Sequence, residues 1–366
     1  MPTATIDLSA ISHNLSRLKT YLEPETRMLT AVKANAYGHG AVEVAKHLER
    51  SGVTWLGVAT WEEALELRNA GASANILIFI PVYDGLNELV DADVALTIVD
   101  ERSLHAAAKA AQEVGKRARA HLKVDTGMGR LGPPPQEVVA LAKEVDSAKE
   151  VQLEAVWTHF ACADEAEREY TNQQIAQYEE VLERLERESI PVPLKHAANS
   201  AGLIAYPEAH FDMVRPGIAV YGYHSSPVIE DLEPHLKPAL TLTAPITFVK
   251  EVKAGTSVSY GATWTASRDT KIATVRLGYG DGLFRTLSGQ LCVTVQGEKR
   301  PLAGRICMDQ IMIDVGDLDV QQGERVTLFG PNGQSAEDLA GMANTISYEL
   351  LTRLGPRIER IYERSS

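Results

Sequence analysis

Between residues 28 and 214, short apolar runs of β type alternate with longer stretches of helical period, and this alternation limits the possible folds most severely. The β-type runs fall at 28–33, 54–59, 75–80, 94–99, 118–124, 153–158, 194–196 and 211–214. The intervening pieces GHGAVEVAKHLERSG, WEEALELRNAG, ERSLHAAAKAAQEVG and TNQQIAQYEEVLERLERES carry apolar residues three and four apart, and most reach a glycine where a helix would stop. Strands joined through helices pair in parallel, and eight of them close into a (β/α)8 TIM-type barrel; an open doubly wound sheet is the alternative.

From about residue 238 the texture changes. LTLTAPITFVKEV, KIATVRLGYG, LCVTVQG, IMIDVGD and ERVTLFG are short β-type runs separated by Gly, Pro and Asp turns, and SAEDLAGMANTISYELLTRLG is the one later stretch of helix length. A second, mostly antiparallel β domain is therefore expected. The predicted division is 1–235 for the barrel and 236–366 for the β domain, with the joint in SSPVIEDLEPHLKP, which has no clear period.

Charge narrows the partners. Against 36 Lys plus Arg stand 49 Asp plus Glu, a net charge of −13, which opposes nonspecific binding to nucleic acid or an acidic membrane. The N-terminal MPTATIDLSAIS lacks a signal peptide's basic start and apolar run, and ILIFIPV is far short of the roughly 20 residues that cross a bilayer. Cys162, Cys292 and Cys307 form no C-x-x-C pair, which argues against a disulfide framework and a cysteine zinc site. A soluble protein of the reducing cytoplasm, with no metal, is expected.

In such a barrel the chemistry lies just after the strands, where all eight C-terminal ends share one rim. AVKANAYGHG puts Lys33 at the first strand end, with Tyr37 following. KVDTGMGRLG supplies Lys123 and Arg130, WTHFAC supplies His159, HAANSAG supplies Asn199 and Ser200, and VRPGIAVYG supplies Arg215, Gly217 and Ile218. Lys33 lies among Ala31, Val32, Ala34 and Ala36, a setting that desolvates an ammonium and lowers its pKa towards a nucleophilic amine; a solvated strand-end charge is the plain alternative. Ser200, Gly202 and Gly217 offer backbone N–H groups where this architecture often holds a phosphate, although a helix cap and a tight turn would use the same residues. A Schiff-base lysine beside a phosphate cradle is what pyridoxal 5′-phosphate requires. An Arg at the pyridine nitrogen, for which Arg215 is the candidate, would keep that nitrogen unprotonated; a salt bridge between barrel strands would also explain it.

AVKANAYGHG, HLKVDTGMGRLG, THFACADE, HAANSAG, VRPGIAVYG, VSYGATW, GYGDG, GRICMDQ and ISYELL follow one another over nearly the whole chain. In this order they resemble the bacterial alanine racemases. The resemblance implies a pyridoxal-phosphate enzyme that interconverts L- and D-alanine with two bases, Lys33 and Tyr260, and supplies D-alanine for peptidoglycan. It makes Lys33 the carrier of the cofactor as an internal aldimine, held also by Tyr37, Asn199, Ser200, Gly217, Ile218 and Tyr348. Arg215 would face the pyridine nitrogen, His159 would support it towards Tyr260, and Asp309 would assist.

By the same resemblance, Arg130 and the backbone at Met308 hold the substrate carboxylate, and a carbamylated Lys123 orients Arg130. Asp164, Tyr279, Arg285 and Arg305 match the substrate entrance. Tyr260 would arrive from a partner subunit, making the site a property of a homodimer. Gly280 in GYGDG stands where alanine is frequent in the family. Serine is an overlapping substrate, because a pocket of modest size rejects an added hydroxyl poorly. A decarboxylase on the same architecture and a noncatalytic cofactor carrier are the rival readings.

Overall fold

The structure, a computed structural model, describes residues 1–364, so the last two residues of the predicted second domain lie outside the described residues. The chain opens with β1 (Thr3–Asp7), and the barrel strands follow as β2 (Arg27–Ala31), β3 (Trp55–Val58), β4 (Asn75–Ile78) and β5 (Val94–Ile98). They continue as β6 (Ala118–Lys123), β7 (Val151–Trp157), β8 (Leu194–His196) and β9 (Met213–Val214). All eight pair in parallel in the order β8-β7-β6-β5-β4-β3-β2-β9. Between the end strands, Asp212 N–H donates to the Lys195 carbonyl at 3.1 Å and Arg215 N–H to that of Ala198 at 2.8 Å, which closes the circle. The TIM-type reading therefore holds, and the open sheet does not.

The helices form where the sequence supplies both an apolar stripe and a cap. Thr60 and Glu63 make a reciprocal capping box before Trp61–Asn69, and Asp100 with Ser103 does the same before Glu101–Val114. Buried Leu104, Ala107, Ala110 and Ala111 then repeat at helical spacing and face the sheet. Inside the barrel, Leu29, Trp55, Leu77, Ala95, Ala155, Leu194 and Met213 pack together.

The second sheet is mostly antiparallel, and its longest strand is β10 (Leu240–Val252). One element departs from the predicted division: β1 belongs to this sheet, antiparallel to β10 and parallel to Glu359–Glu363. TATID carries no local mark of its partner, so its sheet is set by a pairing more than two hundred residues away, Thr3 with Thr243. Two further differences are local. The helix-length run near the C-terminus is two helices, Ala336–Met342 and Ser347–Thr352, parted where Asn344 takes φ +58. The stretch without period holds a short helix, Pro227–Leu232, capped by Ser226 and opened by a proline whose missing N–H costs nothing there. No helix among the described residues is long and apolar enough to cross a membrane.

Candidate active site

The chain does not leave β2 as an ordinary strand end. After Ala31, residues Ala34, Asn35, Ala36 and Tyr37 take φ of 51, 55, 52 and 52°, one turn of left-handed backbone built without glycine. Such a conformation costs roughly 1–2 kcal/mol per residue, so it persists only when its surroundings impose it. Glu63 accepts from Ala34 N–H at 2.6 Å and from Ala59 N–H at 2.8 Å, tying the turn to the end of β3. Asn35 Oδ1 accepts from Ala41 N–H at 2.8 Å, and His39 Nδ1 donates to the carbonyls of Ala36 and Tyr37 at 3.1 and 2.9 Å. The turn points Lys33 into a rim cavity of about 410 Å³, within the usual range for small-molecule sites.

That cavity gathers Lys33, Tyr37, Arg130, His159, Asp164, Asn199, Ser200, Arg215, Gly217, Ile218 and Tyr348, eleven residues from six separate segments of sequence. Burial depresses the Lys33 pKa first and the nearby Arg130 charge next; Glu63 opposes the shift and Arg215 adds to it. Lys33 Nζ also lies 5.7 Å from the Phe79 ring centroid. Ser200 Oγ accepts from Gly217 N–H at 2.9 Å, while the cap of helix Ser200–Ala205 is made by Asn199, whose Oδ1 takes Gly202 N–H at 2.9 Å. Ser200 is thus turned to the loop after β9 rather than spent on its own helix. A Cβ at Gly217 would lie 2.5 Å from Tyr37 Oη, so glycine alone lets this loop meet the phenol. Burial raises the pKa of both Tyr37 and Tyr348, which keeps their hydroxyls as donors.

Arg215 is only 4% exposed. Its Nη2 donates to the carbonyls of Thr158 and Ala197 at 2.7 and 2.8 Å, and its Nη1 meets His196 Nδ1 at 2.9 Å. Burial lowers its pKa to about 9, which leaves it cationic at neutral pH, and no carboxylate among the described residues pairs with it. The salt bridge that could have explained this residue is absent among them. His159 Nδ1 lies 3.2 Å from Arg215 Nη2. A guanidinium only donates, so His159 must carry its proton on Nε2; burial and the Arg215 charge hold its pKa well below the imidazole range.

Lys123 lies beneath the rim, 2% exposed, with Nζ donating to the Val124 carbonyl at 2.5 Å. It is not the solvent-facing lysine that its sequence position also allowed. Burial, then Arg215, lowers its pKa to about 7.

The remaining predicted residues form a different group. Tyr260, Met308, Asp309, Tyr279, Arg285 and Arg305 do not line the cavity. Tyr260 is 70% exposed in the hairpin that joins Ser257–Val258 to Trp264–Thr265. Ser259 Oγ bonds the Arg305 carbonyl at 2.8 Å, and Tyr279 and Gly280 donate their N–H groups to the carbonyls of Cys307 and Met308 at 3.0 and 2.8 Å. These bonds collect Tyr260, Tyr279, Arg305 and Met308 on one surface of the β domain. Arg357 ties in Asp309 at 2.6 Å and Asp281 at 2.9 Å. A Cβ at Gly280 would sit 2.4 Å from Arg357 Nη2, so glycine here makes room for that clamp.

Sequence reasoning passed over Phe79, Glu63 and Trp157. The first two are ordinary residues in a strand end and a helix start, and nothing local marks them. Trp157 lines the cavity, and its Nε1 is buried without a hydrogen-bond partner. Such a donor calls for an acceptor. The bare indole N–H, the Gly217 cradle, the Lys33 amine and the guanidinium groups of Arg130 and Arg215 together fit an anionic, aromatic group bearing a phosphate.

The family described as "Alanine racemase, N-terminal domain" matches residues 6–225, and "Alanine racemase, C-terminal domain" matches residues 239–362. The chain belongs to the alanine racemase family. It is 43% identical to the alanine racemase of Desulfosudis oleivorans and 41% identical to that of Treponema denticola, with 98% of this chain and 96% and 97% of those proteins covered. The crystal structure of alanine racemase from a D-cycloserine-producing Streptomyces lavendulae superposes with a TM-score of 0.94 at 38% identity, covering 100% of this chain and 97% of that one. The reaction is the interconversion of L- and D-alanine, and the family depends on pyridoxal phosphate. Racemisation needs proton exchange on both faces of the α-carbon, yet within one chain the cavity that holds Lys33 does not contain Tyr260.

Proposed function

We propose that the racemase works as a homodimer in which each cavity around Lys33 is completed by the Tyr260 surface of the partner, with pyridoxal 5′-phosphate bound between them. The observation that carries this reading is the division of the residues into two groups: a cavity with a buried lysine, and an exposed tyrosine on another domain. When bound, the cofactor supplies the electron sink that makes the α-proton of alanine removable.

The chain supplies the rest. Lys33 Nζ, made less basic by burial, takes or returns the proton on one face. Tyr260 Oη does so on the other. An ordinary phenol, with a pKa of about 10, is a poor base near neutrality, and contact with His159 backed by the Arg215 cation would ease its ionisation. Arg215 presents a fixed positive charge to the ring nitrogen and so disfavours its protonation. Tyr37, Tyr348 and Ser200, with the backbone at Gly217 and Ile218, hold the phosphate, and Asn199 fixes the helix that carries Ser200. Arg130 and the Met308 backbone hold the substrate carboxylate, with Asp309 supporting that loop. Asp164, Tyr279, Arg285 and Arg305 border the approach. Serine is accepted more slowly than alanine, and the enzyme acts in the cytoplasm to supply D-alanine for peptidoglycan.

The deciding experiment is to incubate the purified, cofactor-loaded protein with L-alanine and resolve the product by chirality. D-alanine should accumulate to an equal mixture; recovery of unchanged L-alanine would overturn the reading.

Lys123 carries a separate expectation. Carbamylation needs the neutral amine: Nζ attacks carbon dioxide, a nitrogen–carbon bond forms, and a proton is released. Because the folded pKa lies near 7, the reactive form grows as pH rises through that value, whereas an ordinary lysine would stay protonated there. Carbamate at Lys123, read by the carbonyl signal of labelled carbon dioxide, should therefore fall as pH drops below about 7. Absence of that signal above about pH 7 would exclude the modification.

A further inference from the structure

Beneath the cofactor-facing rim, four polar side chains cross the interior of the barrel in one line. Arg215 Nη1 lies 2.9 Å from His196 Nδ1, His196 Nε2 lies 3.2 Å from His121 Nδ1, and His121 Nε2 lies 3.2 Å from Glu154 Oε2. His121 and His196 are fully buried. We infer that Glu154, acting through His121 and His196, is a remote positioning residue for the Arg215 guanidinium. This inference rests on the reading that Arg215 faces the cofactor.

The two ends of the line dictate its polarity. A guanidinium has no acceptor, so His196 must offer a bare Nδ1 and keep its proton on Nε2. That proton points at His121 Nδ1, which must then be bare as well, leaving the His121 proton on Nε2 to meet the carboxylate. Both rings are neutral and share one tautomer. Burial independently disfavours charge on each. Stacking fixes one ring further: His196 lies 9° from coplanar with Trp157, centroids 5.6 Å apart.

Glu154 reaches this position through an irregularity of β7. Ala120 pairs with Leu153 but His121 pairs with Ala155, so Glu154 is the extra residue of a β-bulge, a device that re-aims a side chain. Arg119 then grips the carboxylate at 2.8 and 2.9 Å. At the other end, two carbonyls and His159 hold Arg215 Nη2, while His196 is the one acceptor described for Nη1. The relay therefore decides how the guanidinium is turned. It does so without bringing a carboxylate into contact with Arg215, which would offset the charge presented to the ring.

Two measurements on the holoenzyme test the relay. With nitrogen-labelled histidine, the ring signals of residues 121 and 196 should report neutral imidazoles protonated at Nε2 near neutral pH; a charged ring, or a proton on either Nδ1, overturns it. This needs no substitution. Separately, Glu154→Leu should lower kcat about tenfold with little change in KM, raise half-transamination per turnover, and shift the bound cofactor's absorption band. Glu154→Gln, whose amide oxygen still accepts from His121, should restore most of each. A Glu154→Leu enzyme with the parent's by-product ratio and spectrum would end the relay and leave the cofactor reading standing. If Arg215→Glu left both unchanged, Arg215 would not face the cofactor, and the relay would fall with that reading.

Discussion

Lys33→Ala should yield a colourless protein whose racemase activity falls by about 10³-fold or more, since in the proposed scheme one substitution removes both the cofactor's covalent anchor and one acid–base group. Borohydride reduction of the parent followed by peptide mapping should leave the cofactor on Lys33. Trapping on any other lysine would defeat the assignment. The left-handed turn explains why Lys33 suits this role better than other lysines at the rim. Glu63 and His39 hold its backbone, burial and Arg130 make its amine less basic, and no side-chain carboxylate among the described residues bonds its amine. Lys123 is also buried, but its Nζ is held by a carbonyl beneath the cavity and not within it.

Tyr260→Phe should be nearly as damaging, by about 10²- to 10⁴-fold, the usual contribution of a positioned acid–base group. Unlike Lys33→Ala, it should suppress α-proton exchange from one enantiomer only. Equal loss from both would contradict a two-base scheme. The exposed position of Tyr260 adds a sharper test. If each site takes its lysine from one chain and its tyrosine from the other, Lys33→Ala and Tyr260→Phe proteins are inactive apart but complement when mixed. A mixed dimer has one intact site, and half of randomly re-formed dimers are mixed, so activity should return to about a quarter of the parent. No recovery after dissociation and reassociation would place both bases in the same chain, and an active monomer in sedimentation would do likewise.

The residues whose place at the rim was legible in the sequence share a property: that place is set by their neighbours in the chain. Lys33, His159, Ser200 and Arg215 follow strands whose period is readable, and a barrel brings all strand ends to one rim. Glu63 and Glu154 were not legible, because an acid in a helix start or on a strand looks like a solvated charge until its partners across the fold are known. Lys123 was ambiguous for the same reason. Its burial comes from packing beneath the rim, including Gly132, where a Cβ would lie 2.7 Å from the Lys123 carbonyl oxygen.

The parallel barrel, the β-rich second half and the segments that carry the site follow from the sequence alone, because periodicity, capping and turn chemistry act over a few residues. Tertiary structure alone decided that β1 joins the far sheet, that four non-glycine residues after Lys33 turn left-handed, and that Tyr260 stays outside its own chain's cavity. Each depends on contacts between residues far apart in the chain. Pairing, burial and strain relief exist only once those distant residues have met, and no local pattern encodes them.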